Sequence, residues 1–197
     1  EKVIEELDNN GLSKTYNIKE NYLDKIKNEI PSLIEKISLK GRKKSKLNTD
    51  NLYCKNLNDF VVFSKKQSIS HIKFNLNLKQ NSTLRDIILS ECFINLAKGF
   101  LNTNEFVVNA VCYISNPINK ELDESEKSDN AQKFHTDANY SKFFKILIYF
   151  DNVTDFDGPH VFIPGTHKKK KSKHVLMKRY NDDEIYGSYP EKIKFVG

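Results

Sequence analysis

The sequence predicts an α+β chain, mainly β, with its helices gathered toward the N-terminus, and three observations predict it. Apolar residues fall at helical spacing from Glu20 to Leu39. They fall at every second position from Ser70 to Leu78, as in a strand with one wet face. From Phe143 to Phe150 they form an almost unbroken run, as in a buried strand. At 197 residues the chain is long enough for one domain with a substantial core. Only 38% of it is apolar, but 13 Phe and 9 Tyr can fill that core.

Taken in order, Val3 to Leu7 reads as a short helix stopped by Asn9-Asn10-Gly11. The helix over Glu20–Leu39 carries Pro31, which is expected to kink or split it. Asp59–Ser64 and Ser70–Leu78 read as strands, and alternation puts His71 on the polar face of the second. Ser82 or Thr83 is placed to cap a helix reaching Leu101, with Asp86 positioned for a capping box on Thr83. Its buried stripe is Ile87, Ile88, Cys92, Leu96 and Phe100. Phe106–Ser115 follows as an apolar strand. Residues 117–131 are polar, acidic and aperiodic, and read as a loop. Near the end, Asn181 is placed to cap a helix over Asp182–Tyr189, Pro190 stops it, and Ile193–Val196 begins another strand.

The chemistry concentrates between Gln132 and His167. His135 and Asp137 flank Thr136, and in an extended segment residues two apart project to the same side. One neutral nitrogen donor and one hard anionic oxygen make two-thirds of the 2-His-1-carboxylate triad that holds non-haem Fe(II). The alternative is a plain ion pair on the surface. Lys145 interrupts the Phe143–Phe150 run and shares a face with Leu147 and Tyr149. A lysine there either meets a carboxylate or snorkels from a strand end. Tyr113 reads either as a core tyrosine or as a hydroxyl aimed at a ligand.

In order, the segments FHTD (134–137), KILIYFDNV (145–153) and GPHVFIPGTH (158–167), with IKFVG (193–197), resemble the phytanoyl-CoA dioxygenase-like family of Fe(II)/2-oxoglutarate oxygenases. The resemblance covers residues 83–197 well and the N-terminal third only in general pattern. It implies a double-stranded β-helix, a jelly-roll or cupin-like core, with an outer helical layer. One domain is then expected: a helical layer over 1–50, strands and a long helix over 51–105, and the jelly roll over 106–197. It implies Fe(II) and 2-oxoglutarate as cofactors, O2 as co-reactant, and hydroxylation of a C–H bond in a small-molecule or acyl substrate, releasing succinate and CO2. His135 and Asp137 become the metal ligands. Related halogenases lack this carboxylate, so Asp137 favours hydroxylation. Lys145, Tyr113 and Gln132 become candidates for binding the cosubstrate. His160 and His167 lie close to the motif, but the family draws its second histidine from a later strand and uses the PGTH histidine as a turn residue. That histidine, and an arginine for 2-oxoglutarate, are expected beyond Gly197. The sequence is therefore expected to be a fragment, weakly active or inactive by itself.

Composition bears on the rivals. The net charge of +6 resides largely in KGRKKSK (40–46) and KKKKSK (168–173). No recognition helix, RNP-like strand or zinc knuckle accompanies these runs, so non-specific polyanion binding is expected and specific nucleic-acid binding is not. Cys54, Cys92 and Cys112 form no CxxC pair, which argues against a disulfide framework and for a reducing, cytoplasmic setting. No apolar run is long enough to span a bilayer. The first residue is Glu, which predicts that the natural start lies upstream. The oligomeric state is not legible. Beside the oxygenase stand two other readings: a non-catalytic jelly-roll scaffold, and a basic protein associated with nucleic acid.

Overall fold

The computed structural model describes residues 2–13, 18–41, 54–67, 69–116, 133–137, 142–154, 157, 159–171, 174, 179–191 and 193–195. Its chain divides into two compact units. The one built from residues 18–90 and 106–130 is organised on an antiparallel sheet. Here α2 (Glu20–Leu33) runs into β1 (Ile34–Gly41), α3 (Leu57–Lys66) precedes β2 (Ile69–Leu76), and α4 (Thr83–Ile88) and β3 (Ala110–Ser115) complete the unit. β2 lies between β1 and β3, with Phe74 opposite Ile37 on one side and Cys112 on the other.

The alternation read from β2 holds: Ile72, Phe74 and Leu76 are buried. Ile26, Ile30 and Leu33 of α2 join the same core, and the Phe60 ring of α3 meets Phe74 edge-on at 4.8 Å. Asn116, just past β3, donates from its amide to Ser64 Oγ at 2.5 Å and to the Ile69 carbonyl at 3.0 Å. A buried amide so partnered is far less costly than one left unpaired.

Several expectations for this unit are corrected. The helix from Glu20 does not reach Leu39 but ends at Leu33, after Pro31. Pro31 has no N–H to continue the ladder, and Ile34 turns extended (φ −70°, ψ 118°) so that β1 can pair with β2. Residues 59–64 are helix rather than strand, within α3. Asn56 Oδ1 accepts from Asp59 N while Asp59 accepts from Asn56 N, a reciprocal capping box that outweighs the β-propensity of Phe-Val-Val-Phe. Ser82, not Thr83, caps α4, accepting from Arg85 N at 3.1 Å. Thr83 instead gives its N–H and hydroxyl to the Glu29 carboxylate, each at 2.7 Å, which fastens α4 to α2. The expected helix from 83 to 101 is broken after Ile88, and its second part belongs to the other unit. β3 begins only at Ala110; Phe106–Asn109 precede it unpaired as strand.

The second unit comprises residues 1–17, 91–105 and 131–197. Its α1 (Lys2–Asn10) packs on α5 (Glu91–Leu101), with Phe100 buried and Cys92 exposed, so the expected apolar stripe shifts to Ala97 and Phe100. β4 (His160–Phe162) pairs antiparallel with β5 (Ile193–Phe195), and α6 (Asp182–Tyr186) lies between them in sequence. Asn181 starts α6 with its backbone carbonyl and makes no side-chain cap bond, contrary to expectation. Gly11 holds φ +77° at the end of α1, and a Cβ there would sit 2.5 Å from His167 Nδ1. His167 Nε2 lies 2.9 Å from the Asp8 carbonyl and Gly165 N donates to Asn10 O, so the PGTH turn closes the C-terminus of α1.

The strands of the described residues thus form one three-stranded antiparallel sheet and one two-stranded ladder, among helices. A double-stranded β-helix is not among the elements formed by the described residues. Residues 143–150 are a further correction: they form no strand ladder, and Ile146 and Leu147 are 45% and 53% exposed rather than buried. No helix of the described residues is long and apolar enough to cross a membrane.

Candidate metal centre

The approach to His135 is set by Phe134. Its carbonyl accepts from Tyr180 N at 2.8 Å, an isolated antiparallel bridge, and its ring meets Tyr186 edge-on at 5.6 Å. Tyr180, Ile163 and Ile185 form the small core on which Phe134 rests. Beyond this anchor residues 135–137 make no ladder, yet their two-residue parity survives. His135 Nε2 faces Asp137 Oδ1 at 3.4 Å, with the two side chains 32% and 36% exposed.

The imidazole is oriented from its other side. His135 Nδ1 lies 2.9 Å from the Lys133 carbonyl, which can only accept, so Nδ1 carries a proton and Nε2 is the nitrogen turned toward Asp137. A nitrogen and an oxygen occupying adjacent positions on one metal, with bonds near 2.1 Å, stand roughly 3 Å apart. The observed separation is close to that value, and the donor types suit a hard or borderline divalent ion. The pair fits as part of an iron site.

Lys145 brings a positive charge to Asp137. Its ammonium bonds Asp137 Oδ2, the oxygen turned away from His135, while 54% of its side chain stays in water. Lys145 is therefore not buried, and one of its three N–H donors is engaged by Asp137. Burial would raise the Asp137 pKa, but the Lys145 hydrogen bond and charge, then His135 and His160, outweigh it and hold the carboxyl below its ordinary range. His160, at the start of β4, is the group that sequence reasoning set aside. Its backbone N donates to Tyr149 Oη at 3.0 Å, tying residues 143–150 to β4. Desolvation of its ring and the Lys145 charge lower the His160 pKa, against the pull of Asp137, although the residue as a whole is exposed. Tyr149 shares parity with Lys145, which is the one signal that pointed to it.

Tyr113 belongs to the other unit, where it is 54% exposed and its ring stands 5.1 Å from that of His71, so it is not a core tyrosine. Gln132 lies outside the described residues, as do the 117–131 loop and all of the 40–46 run beyond its first two positions. His167 is engaged at α1, as a turn residue. Among the described residues, no three His, Cys, Asp or Glu side chains gather into a group that could hold a metal.

The family model described as phytanoyl-CoA dioxygenase (PhyH) matches residues 53–192, a span that holds His135, Asp137, Lys145 and His160. It begins upstream of the motif-bearing stretch and stops short of β5. No curated protein and no solved structure matches the chain.

Proposed function

The chain belongs to the phytanoyl-CoA dioxygenase family, and from that premise we propose that it is an Fe(II)- and 2-oxoglutarate-dependent dioxygenase hydroxylating a C–H bond of a small-molecule or acyl substrate. One observation carries the reading: His135 Nε2 faces an oxygen of Asp137 at 3.4 Å. His135 and Asp137 would hold the iron, joined by the histidine that the family resemblance draws from a later strand. Fe(II) with 2-oxoglutarate and O2 supplies the oxidising power for hydroxylation, yielding succinate and CO2. The chain's own part is positional. The Lys133 carbonyl orients the ring, and Asp137 supplies an oxygen that is anionic at neutral pH. The fold that would complete the site is a single domain with a jelly-roll core and an outer helical layer.

The test is anaerobic Fe(II) titration by calorimetry, with 2-oxoglutarate-dependent succinate release measured alongside. Iron binding that is lost in His135→Ala and in Asp137→Ala is the expected result, with succinate release weak or absent from these 197 residues alone. Iron binding indifferent to both substitutions would sink the assignment. A second reading, a non-catalytic barrel that binds or scaffolds, draws on the absence of a three-donor group among the described residues. It predicts no iron binding in the first place.

A further inference from the structure

Resting on the iron-site reading, we propose that Lys145 is a positioning residue that reserves Asp137 Oδ2, so that the carboxylate ligates metal through Oδ1 alone. Each carboxylate oxygen already has a different neighbour. Oδ1 faces His135 Nε2 at 3.4 Å, and Oδ2 carries the Lys145 ammonium. A carboxylate can take a cation with one oxygen or with both, and what decides is whether the second oxygen is free. Lys145 removes that freedom. It does so at Oδ2, not at the oxygen that faces His135. The lysine is also well placed to persist there: its ammonium lies 5.8 Å from the Phe143 ring, and the neighbouring Phe144 is held against Phe100 at 5.6 Å. A one-oxygen carboxylate leaves a further position on the metal for the small ligands that such a site must admit.

Two consequences separate this assignment from a surface ion pair. Removing Lys145 takes a positive charge from beside a divalent ion, so metal should bind more tightly, on the order of tenfold. It also frees Oδ2 to bind, so the metal should carry one fewer exchangeable water. The probe is Mn(II), added to the protein and followed by calorimetry for affinity and by water-proton relaxation for the number of exchanging waters. Lys145→Met is expected to bind Mn(II) more tightly and to lose about one water, the change from one-oxygen to two-oxygen ligation. Lys142→Met is the control: it removes a nearby lysine that sits 4.6 Å over the Phe100 ring, away from Asp137, and should leave the water count unchanged. Lys145 is largely exposed, so its substitution is not expected to disturb folding, which circular dichroism checks. Unchanged or weaker Mn(II) binding in Lys145→Met, or an unchanged water count, would overturn the assignment while the iron site stands. If the unsubstituted protein binds no Mn(II) that His135→Ala abolishes, the iron-site reading itself fails, and the role of Lys145 with it.

Discussion

His135 and Asp137 were legible because parity is a local property of extended backbone: it needs no partner strand, and it survives here with only the Phe134–Tyr180 bridge to anchor it. Lys145 was legible as an anomaly, a cation among Phe, Ile and Leu, but its partner was not. Which carboxylate an ammonium meets depends on where two loops come to lie, and spacing does not encode that. The same limit hid Cys112, which reads as one polar atom among several in an apolar strand. It is 5% exposed, and burial pushes its thiol up to about 12, opposed only by a backbone hydrogen bond at Tyr113. Alkylation under native conditions should therefore label exposed Cys92 and spare Cys112, which mass spectrometry of the labelled peptides reads directly. A pH dependence follows. The unfolded thiol ionises near 8.5 while the native one stays protonated, so the unfolded state sheds its proton first and stability falls as pH rises past that point. Between about pH 8 and about pH 10 the loss is up to about 2 kcal/mol. Denaturant midpoints at both pH values should show this decline in the unsubstituted protein and less of it in Cys112→Ala.

At the scale of the element, the informative failures are α3 and β1. Asp-Phe-Val-Val-Phe-Ser has strand-forming composition, yet Phe60 and Ser64 are buried one helical turn apart and Asn56-x-x-Asp59 is a helix-start signal. The cap was readable and the propensity misled. Replacing Asn56 with Ala should cost about 1 kcal/mol in denaturant unfolding; no measurable change would mean the capping box contributes nothing to the fold. β1 was not readable from its own residues, because it becomes a strand by pairing with β2, a long-range contact that overrides a weak helical pattern. The end of α1 is the opposite case. Asn-Asn-Gly announced the stop, and Gly11 does take a left-handed conformation, φ +77°. What local reading lacked was His167, whose ring fills the space where a side chain would go. Gly11→Ala should be destabilising by about 1–3 kcal/mol, combining backbone strain with the displaced ring. Pairing it with His167→Ala should recover part of that loss if the ring is what Cβ strikes.

For the whole molecule the question is whether a charge of +6 and a pI near 9.0 mean a nucleic-acid partner. Lys168 and Lys169 are exposed beside the PGTH turn, whereas Lys171 rests its ammonium 5.5 Å over the Tyr189 ring. Lys171 is thus occupied locally, while Lys168 and Lys169 present solvated charge that attracts any polyanion. Attraction of that kind is set by ionic strength: near 0.15 M, charges farther apart than roughly 8 Å hardly interact. The protein should therefore be retained on immobilised heparin at low salt and released near that concentration. Neutralising Lys168 and Lys169 together should bring release at still lower salt. His135→Ala should elute with the unsubstituted protein, because the metal pair and the lysine run are separate features. Retention that outlasts high salt, or a strong preference for one nucleic-acid sequence, would show that short-range contacts are at work. The basic surface would then be a recognition site, and the oxygenase reading would no longer account for the chain alone.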